Sequence, residues 1–188
     1  MSLIFLIALV VALVYGVMVY NSLVNLKMAV AKAWANIDVL LKQRHDELPK
    51  LVATCQHYMK YEQDTLEKVI QARSRVSAAR ESHNLGALGA AENALRSGLG
   101  SLFALAESYP ELKANEQFLH LQSRISGLEN GIADRREFYN ESVNINNVGI
   151  EQFPAVLLAK LFNFKSFALL KFTADELKDV DIGQRFSL

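Results

Sequence analysis

Charge of either sign is missing from the first 26 residues of this 188-residue chain; every lysine, arginine, aspartate and glutamate lies at or after Lys27. Cysteine is nearly absent, and the single Cys55 excludes an intramolecular disulfide and any multi-cysteine metal site. Three prolines and nine glycines are few, which disfavours many-turned β architectures and favours long helices. With 20 basic against 20 acidic side chains, the chain lacks the basic surplus by which a dedicated nucleic-acid binder displaces counterions. A hydrophobic content of 51% excludes disordered and low-complexity classes, and the length suits one domain with a real core.

Catalytic signatures are lacking as well. Gly-rich phosphate loops, dinucleotide fingerprints and nucleophile-elbow serines do not occur. A di-iron bundle needs Glu-x-x-His pairs projecting from its helices, and none is present. Glu116 and His120, four apart on one helix face, make a single pair that reads as a surface contact. His45, His57 and His83 have no His or Cys partner at metal spacing. Cys55 falls on an apolar stripe, as a small buried hydrophobe does. No catalytic, cofactor-binding or metal-ligating residue is therefore assigned, and no enzyme is expected.

What is present begins with Leu3–Tyr20, 18 residues of Leu, Ile, Val, Ala, Phe, Met, Tyr and one Gly. As a helix this run spans roughly 27 Å at about 1.5 Å per residue, close to the hydrocarbon thickness of a bilayer. A cleaved signal peptide would want a basic start and a small-x-small site after the run. Here no lysine or arginine precedes it, and Tyr15, Tyr20 and Asn21 occupy its far end. A retained membrane anchor is the expectation. Lys27, Lys32, Lys42 and Arg44 follow the anchor, so the amino terminus is expected outside and the body on the cytoplasmic side of a bacterial inner membrane.

Beyond the anchor, apolar residues recur at helical spacing. Leu23, Leu26, Val30, Trp34, Ile37, Leu41 and Leu48 form a first stripe, unbroken from the anchor. Pro49 fits the first turn of a second helix, whose stripe runs Val52, Cys55, Met59, Leu66, Val69, Val76 and Ala79. Ser82-His83-Asn84 offers a turn, with Gly86 able to take positive φ. A third stripe, Leu88 to Leu105, stops before Tyr109-Pro110. With Asn115 as N-cap, a fourth runs Phe118, Leu121, Ile125, Leu128, Ile132, Phe138, Val143 and Ile150, ending at Phe153-Pro154. The expected fold is all-α: an N-terminal transmembrane helix continuing into a long up-down antiparallel four-helix bundle, with an apolar C-terminal segment. Residues 1–22 would be the anchor, 23–153 the bundle and 154–188 the apolar, basic segment and tail.

Residues 27–80 hold 10 basic and 6 acidic side chains, while 81–150 hold 5 and 9, so the two halves should attract one another. Asn130, Asn140, Asn144 and Asn147 crowd the last long helix around Tyr139, although asparagine is an indifferent helix former. Buried amides there would fix register or oligomer state; a solvated face is the plainer alternative. Gly127 and Gly131 form a small-xxx-small pair suited to close helix approach.

Local wording then becomes specific. Tyr20-Asn21-Ser22-Leu23-Val24 precedes Trp34-Ala35-Asn36-Ile37-Asp38-Val39, Leu41-Lys42 and Arg44. Pro49-Lys50-Leu51-Val52, Tyr109-Pro110-Glu111-Leu112-Lys113-Ala114-Asn115, Glu129-Asn130-Gly131-Ile132-Ala133 and Arg136-Glu137-Phe138-Tyr139-Asn140 follow in order. Together, from about Tyr20 to Phe172, these resemble the LemA family of bacterial membrane proteins. Two departures stand out. The family usually repeats Tyr-Asn where this chain has Asn146-Asn147, and usually has glycine where Phe162-Asn163-Phe164 has asparagine, the next best residue at positive φ. The resemblance implies a single-pass anchor on a long helical bundle without established enzymatic activity. It also implies genetic proximity to a membrane metalloprotease, or membership of gene sets that build intracellular membranes such as magnetosomes.

The tail concentrates aromatic residues: six of the ten phenylalanines lie beyond Ile150, and between Gln152 and Thr173 there are three lysines and no acid. Read as a helix, its apolar side chains run nearly all round, so it should need a second surface beyond its own bundle, a bilayer or a neighbouring subunit. Asn130, Tyr139, Asn140, Asn147, Phe162, Phe164 and Phe167 are the candidate interaction and assembly residues. The functional expectation is a non-enzymatic membrane-anchored scaffold that self-associates and organises or shapes membrane. The alternative is an adaptor whose bundle binds another membrane protein, such as a protease. The expected partners are the lipid bilayer, further copies of the chain and, in the adaptor reading, another membrane protein, with no nucleic acid.

Overall fold

The computed structural model describes residues 2–172. Among them there are six helices and no strand: α1 Ser2–Tyr58, α2 Gln63–Glu81, α3 Leu85–Ala106, α4 Pro110–Lys113, α5 Glu116–Glu151 and α6 Ala155–Leu161. Helix α1 opens with the apolar run, and it alone among the described helices is long and apolar enough to cross a membrane. Side chains from Leu3 to Met18 lie largely exposed around that part of the helix.

Helix boundaries follow local chemistry. Asn84 caps α3 by accepting from the Ala87 N–H at 3.0 Å, and the Asn115 side chain accepts from Phe118 N–H at 2.9 Å at the head of α5. Pro110 sits in the first turn of α4. Helix α2 ends in a Schellman motif: Asn84 N–H reaches the Ala79 carbonyl and His83 N–H that of Arg80. The left-handed residue this motif requires is His83, at φ 51°, whereas Gly86 lies within α3 without positive φ. Helix α6 closes identically, with Phe164 N–H on Ala159, Asn163 N–H on Lys160 and Asn163 at φ 58°. Asparagine does hold the turn where glycine is usual.

Three expectations about helices need correction. Pro49 begins no helix; it lies inside α1, which continues to Tyr58. The stripe from Val52 to Ala79 belongs to two helices, broken at residues 59–62. Lys60 and Tyr61 face water there, while Met59 is buried and its carbonyl closes the turn by accepting from the Glu62 N–H at 3.2 Å. Residues 164–172 are not helical, because the backbone of this stretch bonds to side chains of α5 instead.

Contacts group the chain into two compact units. One comprises 2–37 and 134–169. Its buried cluster is Leu23, Ile150 and Ala159, against which Ala155, Leu158 and Phe164 pack. The Trp34 and Tyr139 rings meet edge-on at 5.8 Å in the same unit. The other unit comprises 38–133 and 170–172. Helices α2 and α3 pair along their lengths, burying Leu66, Val69 and Val76 with Leu88, Leu95, Leu99 and Leu102. Leu41, Leu48, Leu51 and Cys55 of α1 and Phe118, Leu121, Ile125 and Ile132 of α5 complete this core. Each such aliphatic residue contributes about 1.5–3 kcal/mol by leaving water. Leu170 is also fully buried in this unit. A Cβ on Gly89 would lie 1.8 Å from the Lys171 carbonyl oxygen, so only glycine lets the chain pass there.

Candidate functional site

Arg44 extends the α1 stripe of Ile37, Leu41 and Leu48 into the core of the second unit, where it is 1% exposed. One Nη donates to Glu92 of α3, the other to Glu129 of α5, and its Nε–H finds no acceptor among the described residues. Burial opposes the guanidinium charge, yet the two carboxylates overcome it and hold its pKa above the ordinary value. Burial pushes the Glu92 carboxyl up against the pull of Arg44, with Glu129 adding to the rise. A buried Glu–Arg–Glu triad is costly to desolvate, and it fixes which faces of α1, α3 and α5 meet. By sequence Arg44 counts only as one of the basic residues that follow the anchor. Its place three residues after Leu41 and four before Leu48 was the available signal.

The charge halves meet here as expected through Arg44 with Glu92 and Glu129; Arg124 to Glu47, at 3.1 Å, runs the opposite way. Arg80 pairs with Asp38 at 3.1 Å within the first half. Arg73 of α2 forks onto one residue of α1, donating from Nε to the His45 carbonyl at 3.0 Å and from Nη to the ring Nε2 at 2.6 Å. Pro49, with no N–H, leaves that same carbonyl without its helical partner. The arginine replaces the missing bond.

The candidate asparagines and tyrosine fall into two groups. Asn130 is exposed, and Asn140 is half-buried. Tyr139 and Asn147 instead hold the chain that follows α6. Asn147 donates to the Phe167 carbonyl and accepts from the Phe167 N–H, both at 2.9 Å, so one side-chain amide replaces a strand neighbour. Tyr139, 3% exposed, donates its hydroxyl to the Ala168 carbonyl at 3.1 Å, and burial raises its phenol pKa. Asn146, outside the candidate set, is 1% exposed and donates to Asn147 Oδ1 at 3.2 Å and to the Lys165 carbonyl at 3.4 Å. It stands seven residues after Tyr139, on the same helical face, where the resembling family usually has tyrosine. That period of seven was the missed signal; Phe138, placed in the stripe by sequence, is exposed and Tyr139 takes the inward position. Of the small-residue pair, Gly131 approaches Leu40 and Gly127 faces open space.

Phe162 and Phe164 flank Tyr20, with ring centroids 4.8 and 5.9 Å from it. Phe164 and Phe167 are half-buried, whereas Phe162 stays 54% exposed beside exposed Phe153, Leu157 and Leu161. The part of the apolar, basic segment beyond Phe172 lies outside the described residues.

No reactive constellation accompanies these contacts. Among the described residues, no group of three or more His, Cys, Asp or Glu side chains could hold a metal ion. Cys55 is buried, and burial pushes its thiol up to about 12. A cleft of about 600 Å³ lies at the α1–α2 turn, lined by Gln56, Met59, Lys60, Gln63, Leu66, Glu67 and Ile70, and pairs no nucleophile with a base.

The model of the LemA family matches residues 33–183. The chain belongs to the LemA family. It is 27% identical to Protein LemA of Metamycoplasma hominis over 166 residues, covering 86% of this chain and 72% of that one. It is also 36% identical over 81 residues to the magnetosome protein MamQ of Magnetospirillum gryphiswaldense and to magnetosome protein MamQ 2 of Paramagnetospirillum magneticum. Those matches cover 43% of this chain and only 28% of either relative, so the chain spans well under a third of the MamQ proteins it matches. None of these names describes an enzyme. Family membership and the apolar N-terminal helix fit a single-pass membrane protein.

Proposed function

We propose that this LemA-family protein is a non-enzymatic, membrane-anchored scaffold that self-associates and organises bacterial membrane. The observation that carries the reading is the uncharged run Leu3–Tyr20, largely exposed as far as Met18, lying in the same helix that delivers Leu41, Arg44 and Leu48 to a buried core. Such a helix runs from the uncharged segment to the core residues without an intervening loop. In this reading α1, α2, α3 and α5 act as a four-helix antiparallel bundle held by the Arg44 triad. An unpartnered stripe on α5 supports self-association: Phe138, Ile145 and Val148 share one face and are each about half exposed. The likeness to magnetosome proteins supports a role at membrane structures. In this reading the body lies on the cytoplasmic side of the inner membrane, and because Arg44 is committed to its carboxylates, Lys27, Lys32 and Lys42 carry the orientation signal.

The adaptor reading rests on the same exposed stripe receiving a different membrane protein. Measuring the mass of the detergent-extracted complex separates the two. A discrete homo-assembly that shrinks when Phe138, Ile145 and Val148 are changed together to serine supports the scaffold. A monomer that copurifies with another membrane protein, and loses it in that variant, supports the adaptor.

A further inference from the structure

The outward side of α6 carries apolar groups that nothing in its unit covers. Ala155, Leu158 and Ala159 face the cluster of Leu23 and Ile150, while Phe153, Leu157 and Leu161 point away, followed by Phe162 at the C-cap. Leu157 is 61% and Leu161 74% exposed, unusual for one short helix that already has a buried side. What covers them is decided by where α6 is fastened. Its C-terminal Phe162 lies against Tyr20, the last residue of the uncharged run, and its Ala159 against Leu23, one turn further along α1.

If Leu3–Tyr20 crosses the hydrocarbon core, Tyr20 sits at its boundary, where tyrosine is favoured for its amphipathic ring. Leu23 then lies about 4.5 Å beyond, at about 1.5 Å per residue. The headgroup layer on each side is about 5–7 Å thick. Helix α6, packed between these two levels, therefore occupies that layer. The charge pattern agrees: from Gln152 to Phe172 there is no acid, and exposed Lys160 and Lys165 flank the apolar side chains. We propose that α6 is a second membrane contact, with Phe153, Leu157, Leu161 and Phe162 immersed at the headgroup–acyl boundary of the bilayer that α1 crosses. The inference rests on the anchor in the function proposed above but needs no self-association. Its consequence is that the protein grips one leaflet beside its anchor, which fixes the rotation of α1 about its axis.

The test uses the full chain in vesicles of phosphatidylethanolamine and phosphatidylglycerol, with Trp34→Phe removing the single native tryptophan. Tryptophan is then introduced singly as Phe162→Trp, Leu157→Trp, Val10→Trp or Phe138→Trp. Phe138 neighbours Tyr139, which meets Trp34 of α1, about 21 Å along the helix from Tyr20 at about 1.5 Å per residue. Lipid brominated near the headgroup should quench Phe162→Trp and Leu157→Trp several-fold more than Phe138→Trp, and both should resist iodide. Lipid brominated at mid-chain should quench Val10→Trp. Quenching of positions 162 and 157 by iodide but not by lipid overturns the inference, as does shielding from both, which would place a protein surface there. In either case quenched Val10→Trp leaves the anchor standing; if Val10→Trp is also untouched by lipid, the anchor fails and the inference falls with it. Should Trp34→Phe disturb folding, a spin label at Leu157→Cys in a Cys55→Ala background reads the same question. Oxygen must then outcompete a water-soluble nickel chelate there; the reverse order overturns the inference.

Discussion

Arg44→Met should be the most damaging single conservative-volume change in the body of this protein. Arg44 is 1% exposed and Glu92 3%, so removing the guanidinium strands a carboxyl in the core, whereas Glu129, at 20%, can turn to water. Breaking a buried pair by deleting one partner costs about 3–5 kcal/mol, against a total stability of about 5–15 kcal/mol for a domain. The stranded Glu92 escapes the charge penalty by taking a proton, and burial already pushes its pKa up. A carboxyl whose folded pKa exceeds its unfolded value binds protons more tightly when folded. The stability of Arg44→Met should therefore be greatest below the ordinary carboxyl value of 4.5 and decline as pH rises from there through the raised folded value. Converting Glu92 to methionine as well should recover most of the loss, since apolar replacement of buried ion pairs is often neutral or stabilising by about 1–4 kcal/mol. Urea unfolding of the detergent-solubilised chain, followed by circular dichroism, gives all three quantities. A loss under about 1 kcal/mol for Arg44→Met, as for a surface pair, or a double variant no better than the single, would refute the reasoning.

Asn147→Ala should free the backbone at Phe167, at a cost of about 1–3 kcal/mol for the groups left unpaired; amide exchange at Phe167 should rise while α5 stays protected, and Asn147→Asp should recover only the bond to the Phe167 N–H. His45 is held below its ordinary value of 6.5 by burial and by the Arg73 charge, with a smaller push from Arg80. Because the unfolded chain binds that proton more readily, stability should be full above 6.5 and decline as pH falls below it towards the folded value. His45→Gln should flatten that part of the pH profile of urea unfolding. Cys55, with its thiol pushed up to about 12, should resist maleimide in the native protein and react only as urea unfolds it.

Helix content and the positions of most turns were legible in the sequence because they depend on local signals: three- and four-residue spacing, asparagine caps, and proline. Asn115, Tyr109-Pro110 and the turn at Ser82-His83-Asn84 needed nothing beyond their neighbours. Tertiary compensation was not legible. Pro49 reads as a helix start until the partner of the carbonyl behind it is known, and Arg44 reads as exposed until Glu92 and Glu129 are placed. The last stripe reads through Phe138, yet it is Tyr139 that turns inward, with an acceptor for its hydroxyl in the Ala168 carbonyl. The aromatic tail reads as a helix when only its composition is considered. Asn146 and Asn147, seven residues after Tyr139 and Asn140, offer both donors and an acceptor to that backbone and make an extended path better satisfied.

An α-helix ordinarily supplies its own backbone partners, so its folding can precede its docking. Helix α1 gives up that independence at one point. The His45 carbonyl depends on a side chain from α2, and the same side chain occupies the His45 ring. The turn around residues 45–49 is thus fully bonded only when α2 is seated in one register; a slip by one residue would leave an empty acceptor in α1 and a stray cation in α2. The proline acts as a proofreading mark. Its penalty falls on every misaligned pairing of the two helices and is relieved in the native one alone, so correct assembly is favoured by a directional bond as well as by the apolar contacts beside it.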